Sequence, residues 1–153
     1  MQLRDLHSKP GHLIRRAQQI AVAIFMEECA DYDLTPVQYA ALVAVLENPG
    51  TDATRLSALI AFDRSTLGNV LERLEARKLV TRYPSPDDKR VKLLKISAAG
   101  KTLVVRAQDA VNRAQDRILA PLKPADRRAL MRLLSELVEL NNDVSRAPLR
   151  GAD

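Results

Sequence analysis

Within its 153 residues the sequence holds one cysteine, two histidines and five glycines, and no apolar run approaches membrane-spanning length. Each shortage closes a class of answers. A lone thiol, Cys29, cannot form an internal disulfide, and it offers no metal-ligand spacing. Two histidines and one cysteine leave few nucleophile–base pairs, and the scattered glycines make no loop that cradles a phosphate. No enzymatic chemistry, metal or cofactor is therefore expected. A helix needs about 20 apolar residues to cross a bilayer, which argues against a membrane partner. The opening MQLRDLHSKPGHLIRR has no apolar core of the signal-peptide kind, so the expected location is cytoplasmic.

What is present is an ordinary globular composition, 46% hydrophobic and 28% charged, of a length suited to one domain. The charge is unevenly placed. Residues 64–106 hold 11 Lys/Arg against 4 Asp/Glu, a net of +7, while the rest holds 13 against 15, a net of −2. Cationic charge gathered in one third of a chain suits a polyanionic partner such as nucleic acid; the alternative is a solvated basic face.

Apolar periodicity predicts a mainly helical chain. A first helix is expected over 11–30, with Leu13, Ala17, Ile20, Ala21 and Ile24 on one stripe. A second opens on Thr35-Pro36-Val37-Gln38, with threonine at the N-cap, proline in the first turn and glutamine three residues on. It should turn Tyr39, Leu42, Val43 and Leu46 inward and stop at Asn48-Pro49-Gly50. Shorter helices follow over 53–61 and 64–77, the latter capped by Asp63. Two strand-like runs, 79–83 and 90–96, flank the segment PSPDDKRVKL, whose prolines forbid helix. Ser97 should cap a long helix to about residue 119, with a seam through Leu103, Ala107, Val111, Ala114 and Ile118. After Pro121 and Pro124, a last helix carries Leu130, Leu133, Leu134, Leu137 and Val138, and the closing APLRGAD is expected to fray. Two short helices joined tightly and followed by a hairpin outline a winged helix-turn-helix.

The helix over 64–77 has separable faces. Leu67, Val70, Leu71 and Leu74 form the buried stripe; Ser65, Gly68, Asn69, Glu72 and Arg73 lie opposite. A glycine there costs about 1 kcal/mol relative to alanine, yet it permits another backbone to come close. Hydroxyls of Ser65 and Thr66 suit phosphates, the Asn69 amide suits base edges, and Arg64 and Arg73 suit either. The rival reading is an amphipathic surface helix with one poor residue.

Four stretches resemble the MarR family, the multiple-antibiotic-resistance type of bacterial transcription regulator. They are LTPVQYAAL at 34–42, DRSTL at 63–67 continuing to LEARKLV at 74–80, the wing signature D-x-R as Asp88-Lys89-Arg90, and LKISAAG at 94–100. The likeness spans about residues 12–142. Lys78 departs from it, because the family commonly has glycine there, which puts the exit from the recognition helix in question. The resemblance implies one MarR-like unit, with a winged-helix lobe over about 34–97 and dimerisation helices over about 8–31 and 98–145. It implies an obligate homodimer on double-stranded DNA, usually as a repressor.

A two-fold dimer would set two recognition helices about 34–36 Å apart on a near-palindromic operator. Arg90 is the expected minor-groove contact, with Lys89, Lys92 and Arg82 adding phosphate attraction. Asp88 would be repelled by phosphate, so its expected task is to pair with a cation, Arg90 or one from the partner, and aim it. Relatives are often released from DNA by an aromatic acid or phenol. Arg16, at the edge of the first helix's stripe, could meet a carboxylate, with His12 one turn earlier and Tyr39 as a polar companion. PGHLIRR at 10–16 also looks like relatives that answer to aromatic acids or their thioesters. The alternatives are that Arg16 is a surface or interface cation and His12 a helix-start residue. Other readings left open are a ligand-independent regulator, a redox-responsive one acting through Cys29, and an architectural DNA binder without sequence preference.

Overall fold

A computed structural model describes residues 2–151. Its elements, in chain order, are α1 (Leu3–His7), α2 (Pro10–Glu28), a 3-10 turn (Ala30–Tyr32), α3 (Pro36–Glu47), α4 (Ala53–Leu59), α5 (Arg64–Ala76), β1 (Val80–Pro84), β2 (Lys92–Ile96), α6 (Ala98–Leu119), α7 (Pro124–Leu140) and a 3-10 turn (Asn142–Val144). The chain is mainly α with a small β-hairpin. The five-residue α1 is not anticipated from periodicity, being too short to show a stripe. Its start is held locally, where the Gln2 backbone N–H donates to the Asp5 carboxylate at 2.9 Å.

The caps act as the sequence suggests. Thr35 and Gln38 satisfy each other's backbone N–H groups at 3.0 and 3.3 Å, closing a capping box at the start of α3. Ser97 accepts from the Gly100 N–H at 3.0 Å at the start of α6. The hairpin strands pair antiparallel from Val80↔Ile96 to Pro84↔Lys92. The connection from α3 to α4 adds a short third edge: Gly50 N–H donates to Leu94 O, and Leu94 N–H to Thr51 O.

One core joins the middle of the chain to parts of α2 and α6. Leu34, Leu42, Leu56, Leu67, Leu74 and Leu94 are fully buried, with Phe25 and Cys29 arriving from α2 and Ala107, Ala110 and Ala114 from α6. The expected stripes divide at this point. In α2 only the C-terminal end is buried within the chain, while Leu13 and Ile20 are about half exposed. The α6 seam runs through Gly100, Val104, Ala107, Ala110 and Ala114, so Leu103, Val111 and Ile118 border it. No residue of α7 is buried. The terminal helices thus keep an apolar face that this chain does not cover.

Ion pairs bind α2 to α6. Glu28 receives Arg113 at 3.1 Å and Arg117 at 2.8 Å, and Arg117 also reaches Glu27 at 2.9 Å. The Arg117 and Arg113 hydrogen bonds hold the Glu28 carboxyl below its usual range.

Lys78, flagged by its departure from glycine, does take the left-handed conformation, with φ at 59°. Lys78→Gly should relieve that strain. The expected gain is about 0.5–1 kcal/mol, read as a rise of a few degrees in the thermal midpoint. An unchanged midpoint would mean that the turn imposes no cost on lysine.

Candidate nucleic-acid interface

The α5 helix begins at Asp63, whose Oδ1 accepts from the Ser65 N–H at 2.8 Å and from the Ser65 hydroxyl at 2.7 Å. The Ser65 bonds hold the Asp63 carboxyl below its ordinary range. Thr66 Oγ1 donates to the Asp63 carbonyl at 2.9 Å. The two hydroxyl protons expected to meet phosphates are therefore engaged in starting the helix, leaving their lone pairs, which suit donors and not phosphate oxygens. Within this chain Ser65 and Thr66 thus help to position α5.

Along the rod the faces separate as expected. Leu67, Leu71 and Leu74 are buried, Val70 is half-buried, and Arg64, Gly68, Asn69 and Arg73 are exposed. A Cβ added at Gly68 would meet nothing within 4 Å, so the surface there is open. The helix ends where Arg77 donates to the carbonyls of Tyr32, at 3.0 Å, and Asp33. That clasp ties the rear of α5 to the turn after α2.

The hairpin loop folds back tightly, with Ser85 N–H donating to Val91 O and Val91 N–H to Asp88 O. Asp88 holds Arg90 with both carboxylate oxygens. Its Oδ1 accepts from the Arg90 backbone N–H and Nε, and its Oδ2 from Nη2, each at 3.0 Å. Within this chain the partner of Asp88 is Arg90. These bonds depress the Asp88 carboxyl and raise the Arg90 guanidinium. The Arg90 side chain is 90% exposed, projecting from the tip with its direction set.

Arg82 has a different position from the one expected. It pairs with Glu75 of α5 at 2.6 Å, and its Nε also reaches that carboxylate at 2.8 Å. The pair joins hairpin to helix. Nothing in the sequence pattern marks Glu75 for this part. Lys89 and Lys92 are exposed. Arg64, Arg82, Arg90 and Lys92, with Asp52, line one open groove between α4, α5 and the hairpin.

The residues considered for a small ligand are not brought together within one chain. Arg16 and Arg15 are both exposed on α2 and share Gln19 Oε1, at 3.4 and 3.1 Å. Arg15, which helical spacing sets nearly opposite the apolar stripe, lines the same shallow surface as Arg16. His12 lies 3.5 Å from Arg15 and 5.0 Å from the His7 ring. Its pKa is lowered by local desolvation and by the nearby cations. Tyr39 packs against Phe25, ring centroids 6.3 Å apart, and lines a separate groove with Val43, Leu59 and Ile60. Burial raises its phenol pKa. Cys29 is 1% exposed, and burial, then Glu28, pushes its thiol up, which makes a poor oxidation sensor.

An exposed polar rod beside a clamped arginine finger is a winged helix, and comparison with known proteins decides whose. A family model described as the MarR family matches residues 32–91. The structure of the regulator BpsR from Bordetella bronchiseptica is 32% identical, covers 86% of this chain and 94% of its own, and superposes with a TM-score of 0.79. The chain belongs to the MarR family. The repressor CouR, solved on a 23-mer DNA duplex, is 29% identical over 90% of this chain and 98% of its own, with a TM-score of 0.79. The transcriptional repressor NicR from Pseudomonas putida is 28% identical over 88% of this chain and 85% of its length. These MarR-family relatives are transcriptional regulators, not enzymes. Among the described residues no helix is long and apolar enough to cross a membrane.

Proposed function

We propose that the chain is a homodimeric repressor that binds a near-palindromic operator and is released by a small aromatic carboxylate or phenol. In this reading residues 34–97 form the DNA-binding lobe, and 8–31 with 98–145 the dimerisation helices. Arg64, Gly68, Asn69 and Arg73 enter the major groove, Ser65 and Thr66 hold the helix start, and Arg90 reaches the minor groove. The observation that carries it is the Arg90–Asp88 clamp beside the open face of α5. CouR was solved on a DNA duplex, and NicR is a repressor.

Effector release is supported more narrowly. In BpsR, DNA binding is regulated by 6-hydroxynicotinic acid, an aromatic acid. Arg15 and Arg16 would supply the cationic side of such a site, with His12 beside them. Tyr39 belongs to it only if a second copy brings its groove and theirs together.

A mobility shift on the protein's own upstream DNA against a scrambled duplex tests the reading. Binding should prefer the upstream DNA and weaken steeply with salt. Arg90→Ala should weaken it by about tenfold or more while the dimer persists, as expected for a lost minor-groove cation. Millimolar aromatic carboxylates or phenols should release the wild-type complex. Equal affinity for both duplexes would favour an architectural binder, and wild-type affinity in Arg90→Ala would remove the hairpin from the mechanism.

A further inference from the structure

The closing segment, expected to fray, is folded back instead; Ala152 and Asp153 lie outside the described residues. The Asn142 side chain brackets Leu149, accepting from its backbone N–H at 2.8 Å and donating to its carbonyl at 3.1 Å. Arg150 pairs with Asp143 at 2.9 Å, closing the same loop. The loop then touches the DNA-binding lobe at two points. Arg150 N–H donates to the Ala58 carbonyl at 3.0 Å, at the end of α4. Arg146 pairs with Asp63 Oδ2 at 3.3 Å.

The second contact lands on a particular atom. Asp63 caps α5 through Oδ1, so one carboxylate carries the helix start on one oxygen and the chain's C-terminal segment on the other. The connection between α4 and α5 is also held by Ser57, whose hydroxyl donates to the Phe62 carbonyl at 2.6 Å and whose own carbonyl accepts the Phe62 N–H at 3.1 Å. It contains Ala61, a non-glycine residue in the left-handed region with φ at 48°. Helix α7, which precedes the hook, has no buried residue in this chain. The hook is thus where the chain, after leaving its own core along α7, returns to the lobe.

We infer that residues 142–150 form a hook that positions the recognition helix, with Arg146 acting through Asp63 and Asn142 setting the hook's shape. The inference rests on α5 being the helix that reads DNA. An ion pair as open as Arg146–Asp63, with Arg146 88% exposed, is weak by itself. The main-chain bond to Ala58 and the Asn142 bracket give it a fixed frame. A dimer that must place two helices a turn of DNA apart is sensitive to their tilt. A change in the pose of α7 would reach α5 through this hook.

The test compares the full chain with Arg146→Ala, Arg146→Lys, Asn142→Ala and a truncation after Ser145, each confirmed as a dimer. Operator affinity is read across a salt series, and amide hydrogen exchange across residues 58–66. Truncation should weaken operator binding by roughly tenfold and Arg146→Ala by about threefold, with Arg146→Lys near wild type. The logarithmic salt slope should stay unchanged, because positioning releases no counterions. Exchange at the amides of residues 58–66 should quicken in the truncated chain. Wild-type affinity and exchange in the truncated chain would overturn the inference. So would a salt slope shallower by about one per arginine removed, since that marks direct phosphate contact. If the wild-type chain binds no operator, the DNA reading itself fails; the exchange result still decides whether the hook steadies the turn.

Discussion

A chain carrying Leu133→Asp and Leu137→Asp should run as a monomer and bind operator at least about a hundredfold more weakly than wild type. Both side chains are about half exposed, as are Leu130, Leu134 and Val138 on α7 and Leu13, Ile14 and Ile20 on α2. That much apolar surface on two terminal helices exceeds what a soluble monomer normally leaves open. A second copy, presenting the same two helices about a two-fold axis, would cover it with matching chemistry. Two aspartates at its centre would have to be desolvated without partners, which costs several kcal/mol. Each lobe would then bind alone, losing the gain from two linked half-sites. Sedimentation and fluorescence anisotropy read the two effects, and circular dichroism should stay helical because α7 contributes nothing to the lobe's core. A dimer surviving both substitutions would place the interface elsewhere.

Gly100→Ala should be the most damaging single-methyl change, lowering stability by about 3 kcal/mol in urea or thermal unfolding. A Cβ at this position would sit 2.3 Å from the Leu79 carbonyl oxygen and 2.7 Å from Ile96 Cγ1. The isoleucine can rotate, but the carbonyl cannot yield easily. It accepts the Ser97 N–H at 3.0 Å, and the Ser97 hydroxyl is committed to the Lys78 carbonyl at 2.8 Å. The methyl therefore meets a fixed backbone at the point where the hairpin turns into α6. Alanine's better helix propensity recovers at most about 1 kcal/mol. An unfolding midpoint equal to wild type would show that α6 slides aside without loss.

Much of this is legible from local chemistry. The Thr35–Gln38 box, the Asp63 and Ser97 caps and the prolines around Ser85 each act within four residues, so their signals survive in one dimension. The faces of α5 are readable for the same reason. Contacts between distant segments are not. The pairing of Arg82 with Glu75 is hidden in the sequence because the two lie across a turn on different elements. The hook escapes a reading of the sequence because a bracket between Asn142 and Leu149 has no periodicity. The stripes of α2 and α7 are visible, yet amphipathicity alone does not say whether the covering surface belongs to the same chain.

The Glu75–Arg82 pair has a consequence for how operators can vary. Helix and hairpin within one lobe are riveted to each other, so the interval between the bases each would read is a fixed ruler. In the proposed complex an inserted base pair inside a half-site would leave one reader off its mark. In the proposed dimer the gap between half-sites would be spanned by the junctions that carry each lobe, so tolerance to length should reside there.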